Sequence, residues 1–377
     1  MISKIPFREH HLIALLDGYS QQTHPIDLYI SEYFRSHPAL GSKDRAFIAD
    51  TVYALIRWQA LLDYPADYSS WKERYVAFQR INLEEIQARE DIPPAIRVSF
   101  PQPLFDLFVS NYGLERGQTL CMTCNTPAPT TIRANSLKIS RTDLIKQWQD
   151  LYDISPTPTS PDGIIFHKKI SFFQLPEFKE GLFEVQDEGS QLLAHLMQVQ
   201  PGQQVLDYCA GSGGKTLAFA PLMEGKGQIY VHDIRPFALQ EAQKRLRRAG
   251  IQNYQLLQPT SPHFAKLKKK MDWVLVDAPC SGTGTLRRNP DMKWKFHAEM
   301  LTRLIGQQRM IFEKALSFLK PDGRIVYATC SLLKEENQDQ VEHFLTTYSL
   351  AIEGSPFQTF PTVGGMDGFF GVVLKRA

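Results

Sequence analysis

Two cysteines of this chain stand where a reactive thiol is expected. Cys280 lies within residues 277–284 (DAPCSGTG), which follow an apolar run at 273–276, and Cys330 follows a similar run at 324–328. Such runs indicate buried parallel strands, and open α/β sheets bind their ligands beyond the carboxyl ends of these strands. A single buried cysteine is usually a small apolar residue, but two at matching strand ends favour a chemical role. Asp277 would place a carboxylate in the same crevice.

A glycine-rich segment follows the first strand predicted in the same region, at residues 205–208. Its spacing fits neither the P-loop nor the full dinucleotide fingerprint, but it opens a helix, so its backbone can approach a ligand. Asp233 ends the next predicted strand, about 20 residues later, where an acidic side chain accepts the hydroxyls of a ribose. The pattern predicts a nucleoside cofactor. The segment consists of Cys209, Ala210, Gly211, Ser212, Gly213, Gly214 and Lys215.

A ribose-containing cofactor without a phosphate cradle, beside two thiols, suggests S-adenosylmethionine and covalent chemistry on a pyrimidine. A thiolate that adds to carbon 6 of cytosine makes carbon 5 nucleophilic, which divides one difficult step into two easier ones. Ring nitrogen 3 then needs a proton, and Asp277 is placed to supply it if the crevice keeps this carboxyl protonated. Afterwards the carbon-5 proton must leave and the thiol must be expelled, and a second cysteine is suited to assist.

These segments resemble the motifs of RNA 5-methylcytosine methyltransferases of the RsmB (Fmu/Sun) type. Residues 185–190 (VQDEGS), 287–294 (RRNPDMKW) and 329–331 (TCS) carry the resemblance further, and it covers at least residues 126–377. It implies that Cys330 is the nucleophile and that Cys280 assists release.

The same resemblance implies that residues 209–215, Asp233 and Asp277 line the S-adenosylmethionine pocket, with Lys215 also touching the cytosine. The chain departs from the family in one place. Members usually carry an acidic residue after the third strand to hold the adenine, whereas residues 257–262 (LQPTSP) offer none.

The surrounding elements predict three regions. Residues 1–118 have the 3.6-residue apolar period of helices, residues 126–185 suggest a small α+β module, and in residues 186–377 strands and helices alternate. We therefore predict the α/β class, with a Rossmann-like methyltransferase sheet preceded by a small α+β module and an all-helical N-terminal domain. The first region resembles, in divergent form, the NusB-like RNA-binding domain found in this family.

Composition and charge exclude several classes of protein. The 377 residues are 43% hydrophobic and 22% charged, and no apolar run approaches the ~20 residues that a membrane span needs. The odd set of five cysteines predicts free thiols in a reducing compartment, and the lone CxxC at Cys121 and Cys124 lacks a second pair for zinc. The N-terminus carries no secretory signal pattern. We expect a monomeric cytoplasmic protein that uses no metal and no membrane.

The predicted function is cytosine-5 methylation of ribosomal RNA, with small-subunit 16S RNA as the expected substrate. Arg287 and Arg288, which follow the Pro-Cys loop, are expected to contact RNA, whereas the basic runs 244–248 and 266–270 suit either a solvated face or phosphate binding. Two alternatives stay open: a transfer RNA cytosine-5 methyltransferase, and a non-catalytic RNA-binding assembly factor. A DNA cytosine methyltransferase, whose nucleophile by family knowledge lies in the Pro-Cys motif, fits residues 329–331 less well.

Overall fold

The computed structural model describes residues 6–20, 24–64 and 68–377. The chain divides into two compact units, Met1–Pro127 with Thr285–Ala298, and Ala128–Gly284 with Glu299–Ala377. The three regions expected from the sequence, with their boundaries, remain predictions, and so does the NusB-like character of the first.

The regular structure described in the first unit is helical, as the sequence predicts for its N-terminal region. The apolar period expected within the longest of these helices forms its buried face, where Ile48, Val52, Leu55 and Leu62 are fully buried in a common core. The helices that precede Thr285 are α1 (Phe7–Tyr19), α2 (Ile26–Ser36), α3 (Ser42–Asp63), α4 (Trp71–Phe78), α5 (Leu83–Gln87), α6 (Pro94–Arg97), α7 (Gln102–Tyr112) and α8 (Leu114–Cys124).

A buried lysine fixes the segment Thr285–Ala298 within this first unit. Lys293 Nζ donates hydrogen bonds to the backbone oxygens of Arg57 (2.8 Å) and Ser99 (2.6 Å) and to Asn125 Oδ1 (2.7 Å). Three acceptors match the three N–H groups of an ammonium. Burial disfavours the charged amine and lowers the pKa of Lys293 well below its usual value. The three hydrogen bonds compensate for the loss of contact with water.

The second unit begins with a small antiparallel sheet of strand order β2-β3-β1-β4. The Ser140 side chain caps the helix that packs on it by accepting the backbone N–H of Asp143, and Trp148 from that helix is fully buried. The predicted α+β character of this stretch is therefore present. Its elements are β1 (Thr130–Ala134), α9 (Arg141–Trp148), β2 (Ile154–Pro156), β3 (Gly163–Phe166), α10 (Pro176–Lys179) and β4 (Phe183–Val185).

The larger sheet of this unit has seven strands and is mostly parallel. Its order is β10-β11-β9-β8-β5-β6-β7, in which β11 pairs antiparallel with β10 and β9 and the other described pairs are parallel. The strands are β5 (Gln204–Asp207), β6 (Gln228–His232), β7 (Tyr254–Leu257), β8 (Met271–Asp277), β9 (Leu319–Thr329), β10 (Leu350–Thr359) and β11 (Phe369–Arg376). This order confirms the predicted α/β class with a Rossmann-like sheet.

Helices cover both faces of this sheet, and an apolar core lies between the sheet and the helices on each face. The chain passes from β5 outward to β6 and β7, then returns to β8 on the other side of β5. Such a switch point leaves a crevice at the carboxyl ends of β5 and β8. The helices are α11 (Glu188–Ala194), α12 (Gly214–Phe219), α13 (Pro236–Ala249), α14 (His263–Lys266), α15 (Ala298–Leu316) and α16 (Gln338–Tyr348).

Within the described ranges, no helix combines the length and the apolar character needed to cross a membrane.

Candidate active site

A cleft of about 1130 Å³ opens at the carboxyl ends of β5, β6 and β8. This volume is enough for a nucleoside-sized ligand. Most of the cofactor residues predicted from the sequence line it, and Gly213 lies behind them. The predicted residues on the lining are Cys209, Ala210, Gly211, Ser212, Gly214, Lys215, Asp233 and Asp277.

Left-handed glycines shape the loop between β5 and α12. Gly211 and Gly213 have φ of 54° and 80°, and a Cβ on Gly213 would lie 3.3 Å from the Cβ of Ala242. A side chain at Gly213 would therefore meet both backbone strain and the helix behind the loop. The turn delivers the backbone N–H of Gly211 to Asp233 Oδ2 at 2.8 Å.

The carboxylate of Asp233 has all of its acceptor positions filled. Oδ1 accepts from the backbone N–H and Nε of Arg235 (2.8 and 2.9 Å), and Oδ2 accepts from Gly211 and from Arg235 Nη2 (3.1 Å). A carboxylate offers about four lone pairs, so the Arg235 guanidinium occupies two of them. Burial raises the pKa of Asp233, but the hydrogen bonds from Arg235 and Gly211 outweigh burial and leave its pKa below the usual value.

Asp207, at the end of β5, is a site residue that the sequence did not single out. Its side chain is buried, Oδ2 accepts a hydrogen bond from Thr216 Oγ1 at 2.6 Å, and Oδ1 has no partner among the described residues. Burial raises the pKa of Asp207 from 3.8 to about 7. Asp207 lies outside the lining of the cleft, and its hydrogen bond to Thr216 ties the end of β5 to α12.

The ionisation of Asp207 predicts a pH-dependent stability. Between its unfolded pKa of 3.8 and its folded pKa of about 7, the folded chain holds a proton that the unfolded chain has released. Stability is therefore expected to fall as pH rises from 5 to 7, by up to ~1.4 kcal/mol per pH unit from this group, and to level off by about pH 8. Urea denaturation at several pH values would measure the slope. Asp207→Asn should flatten it, and an identical slope in both proteins would contradict the assignment.

Lys215 and Asp277 form an ion pair across the floor of the cleft, through Nζ and Oδ2. Burial lowers the pKa of Lys215, but the charge of Asp277 and the hydrogen bond to it, together with the charges of Cys330 and Asp207, outweigh burial, so the net shift is upward. The pair places a proton donor and a carboxylate side by side at the carboxyl end of β8.

The two predicted thiols meet next to this pair. Cys280 and Cys330 lie on the loops that follow β8 and β9, and their sulfur atoms are 3.4 Å apart. The hydrogen bond from Cys280 and the nearby Lys215 ammonium lower the pKa of Cys330, whereas the hydrogen bond to Cys330, together with burial, raises the pKa of Cys280. The two sulfurs thus share one proton, and the arrangement favours the thiolate at Cys330.

The two thiol loops also contact each other through their backbones. Gly284 donates its N–H to the carbonyl of Cys330 at 2.9 Å, and Gly368 donates to the carbonyl of Gly284 at 2.9 Å. A Cβ on Gly284 would lie 2.1 Å from the Gly368 oxygen, so no side chain fits there. The small residue after the Pro-Cys motif thus brings one loop against the other.

An aromatic group forms one wall of the cleft. Tyr208, His232, Phe264 and Phe318 pack with ring centroids 4.7 to 6.4 Å apart, and Pro259 lines the cleft nearby. As the sequence indicated, residues 257–262 bring no acidic side chain here. This wall therefore offers aromatic ring surface to a ligand.

Some predicted residues lie elsewhere. Arg287 is only 1% exposed, within the first unit, so its side chain is not available to a phosphate and the expectation is wrong for Arg287, whereas for the half-buried Arg288 it stays a prediction. Lys268, from one of the two basic runs, does line the cleft. Cys121 and Cys124 are buried free thiols, and no group of three or more potential metal ligands occurs in the part of the chain that the structure describes.

Comparison with known proteins finds two matching family models and many relatives. A family described as 16S rRNA methyltransferase RsmB/F matches residues 194–374, and the ferredoxin-like domain of RsmF/B-like methyltransferases matches residues 100–172. A probable ribosomal RNA small subunit methyltransferase B from Synechocystis sp. is 32% identical over 318 residues, which are 78% of this chain and 70% of that protein. The ribosomal RNA small subunit methyltransferase B of Pasteurella multocida is 34% identical over 235 residues, 58% of this chain and 52% of that protein.

Among solved structures, the crystal structure of PH0851 has a TM-score of 0.82 and covers 99% of both chains at 21% identity. At this identity the likeness concerns the fold alone. Of the two curated relatives named above, the chain spans 70% of the length of the first and 52% of the length of the second.

Proposed function

The chain belongs to the RsmB/F methyltransferase family, and we propose that it transfers a methyl group from S-adenosylmethionine to carbon 5 of a cytosine in small-subunit ribosomal RNA. The resemblance to the RsmB type expected from the sequence is confirmed by the family matches. The observation that carries the proposed chemistry is the pair of sulfurs 3.4 Å apart beside the Lys215–Asp277 ion pair, at the edge of a nucleoside-sized cleft.

The residues of the cleft fit S-adenosylmethionine, which when bound supplies an electrophilic methyl group. Asp233 would hold the ribose hydroxyls, and the aromatic wall at Phe264 and Phe318 would hold the adenine where the usual acidic contact is missing. The glycine-rich loop would bring its backbone against the ligand.

Arg235 must release Asp233 before a ribose can bind. Without the guanidinium, one lone pair becomes free on each oxygen of Asp233, which matches the two hydroxyls of a ribose. Because Arg235 is mostly exposed, the ion pair is worth only about 0.2–1 kcal/mol. Arg235→Ala is therefore expected to lower the Kd for S-adenosylmethionine by about two- to fivefold in a calorimetric titration.

Two variants complete that titration. Arg247 is an exposed arginine in α13, the helix that begins directly after Arg235. Arg247→Ala should leave the Kd unchanged, and Asp233→Ala should weaken binding. Weaker binding by Arg235→Ala would mean that the guanidinium contacts the cofactor, and the release step would be wrong.

The chemistry of the bound cytosine follows from the two thiols. The Cys330 thiolate adds to carbon 6, and ring nitrogen 3 takes a proton from the Lys215–Asp277 pair rather than from an isolated acid. Carbon 5 then accepts the methyl group. The Lys215–Asp277 pair, which has given up a proton, accepts the carbon-5 proton. The sulfur–carbon 6 bond then breaks as ring nitrogen 3 releases its proton to solvent, and the Cys280 S–H stabilises the departing Cys330 thiolate.

The relatives named for small-subunit ribosomal RNA support that substrate, and the free thiols support a reducing, cytoplasmic location. We expect a monomer, which sedimentation would test.

The substrate is tested by incubating the protein with tritiated S-adenosylmethionine and either unmodified ribosomal RNA or transfer RNA. Label in the small-subunit RNA is expected, and label confined to transfer RNA would overturn the substrate. No label in either RNA would favour the non-catalytic alternative.

A further inference from the structure

A buried carboxylate contacts the residues that follow both thiols. Glu336 lies in a short 3-10 turn (Lys334–Glu336) and is fully buried. Its Oε1 accepts the backbone N–H of Ser281 at 2.9 Å, and its Oε2 accepts the Ser281 hydroxyl at 2.5 Å. The Ser331 side chain lies close enough to this carboxylate to lower its pKa. Ser281 follows Cys280 and Ser331 follows Cys330, so one side chain reaches both thiol loops.

Gln308 from α15 also hydrogen-bonds to the carboxylate of Glu336. Its Nε2 donates to Glu336 Oε1 and to the backbone oxygen of Pro279, both at 3.0 Å. Its Oε1 accepts a hydrogen bond from Gln340 Nε2 at 2.7 Å, which fixes the orientation of the amide. The residue before Cys280 and the residue after it are therefore both tied to this polar group.

The two serines are also joined directly. Ser281 Oγ and Ser331 Oγ are 3.2 Å apart, and Thr283 Oγ1 lies 3.1 Å from Ser331 Oγ. All of these groups are buried. A satisfied buried network of this kind holds its members in one arrangement, because each broken hydrogen bond would leave a polar group without solvent.

We propose that Glu336 is a positioning residue of the reaction: it holds the loops after β8 and β9 in register and thereby sets the distance between the Cys280 and Cys330 sulfurs. The effect on thiol geometry stands on the contacts alone, whereas the effect on methyl transfer rests on the function proposed above. Glu336 touches neither sulfur in the described contacts, so it acts through the serines.

Geometry and charge act on Cys330 in opposite directions. The thiolate of Cys330 faces Cys280, Lys215, Asp277 and Glu336. The hydrogen bond from Cys280 is the largest influence and lowers the pKa of Cys330, whereas the charge of Glu336 is a smaller influence that raises it. Loss of position and loss of charge at Glu336 therefore have opposite effects on this thiol.

Two substitutions separate these effects. Glu336→Ala removes the contacts and the charge together, so the sulfurs should move apart and the apparent pKa of Cys330 should rise by about one unit or more. Glu336→Gln removes the charge but keeps an amide that can bond both serines, so the apparent pKa should stay the same or fall. The measurement is the rate of carboxamidomethylation of the Cys330 peptide by iodoacetamide as a function of pH, read by mass spectrometry.

Matched controls come from Asp339, an exposed carboxylate in the first turn of α16. Asp339→Ala and Asp339→Asn should leave the pH profile of Cys330 unchanged. If Glu336→Ala does not fold, Ser331→Ala removes one arm of the network and should raise the apparent pKa by a smaller amount. A wild-type profile in Ser331→Ala would then count against the proposal.

Kinetics provide the second readout. Glu336→Ala should lower kcat by about 100-fold with little change in KM for RNA, because misplacement of a reacting group by about 1 Å has an effect of that size. Wild-type thiol profiles in both Glu336 variants, or a lower pKa in both, would overturn the positioning role. A shifted profile in a protein that methylates no RNA would instead sustain the positioning role and overturn the proposed function.

Discussion

Cys280→Ala is expected to convert the protein into a trap for its RNA. The Cys330 thiolate and the cofactor cleft remain, so addition to carbon 6 and methyl transfer can still occur. Elimination lacks the S–H that lies 3.4 Å from the departing sulfur in the wild-type protein. A protein–RNA complex that survives denaturing gel electrophoresis without thiol reagents should accumulate when S-adenosylmethionine is present.

Cys330→Ala should behave in the opposite way, with no covalent complex and no methyl transfer above background, because carbon 5 is never activated. Cys121→Ala, a buried cysteine of the first unit, is the control and should remain active without a trapped complex. A trapped complex with Cys330→Ala and none with Cys280→Ala would reverse the two roles. Activity in both variants would mean that the cysteines serve packing only.

The largest loss of stability is expected for Lys293→Met. The substitution keeps much of the volume but leaves the oxygens of Arg57, Ser99 and Asn125 without their shared donor in a buried site. Unsatisfied buried acceptors cost about 1–3 kcal/mol each, and shared relaxation should limit the total to roughly 3–5 kcal/mol. Urea denaturation combined with hydrogen exchange would measure the loss.

Exchange should accelerate in α3 and α8, the helices that Lys293 ties to Thr285–Ala298. Lys72→Met, on the exposed side of α4, provides the matched control and should change stability by less than about 0.5 kcal/mol. Equal stability of the two variants would show that the hydrogen bonds of Lys293 contribute little to the first unit.

The strand ends that carry the chemistry could be predicted from sequence because their signals are local. The apolar runs at 273–276 and 324–328 lie within β8 and β9, and these strands end at Asp277 and Thr329. The glycine-rich loop likewise precedes α12 as expected. A continuous apolar run indicates a strand buried in a parallel sheet. The position of the loop after it can therefore be predicted without knowledge of distant contacts.

Other features depend on partners far away in the chain. Glu336 binds Ser281, and nothing in the charged stretch around Glu336 distinguishes a buried carboxylate from an exposed one. The hydrogen bonds from Arg235 to the carboxylate of Asp233 could not be predicted from the sequence either. Gly354, Ser355 and Pro356 are residues typical of turns, whereas the structure accommodates them within β10, an irregular edge strand.

The most direct test of the proposed function is the identity of the methylated nucleoside. Unmodified small-subunit ribosomal RNA would be incubated with the protein and S-adenosylmethionine, digested to nucleosides and examined by mass spectrometry, with Cys330→Ala in parallel. Formation of 5-methylcytidine by the wild-type protein and none by the variant is the expected result. A different methylated nucleoside, or 5-methylcytidine formed equally by Cys330→Ala, would contradict a covalent cytosine-5 methyltransferase.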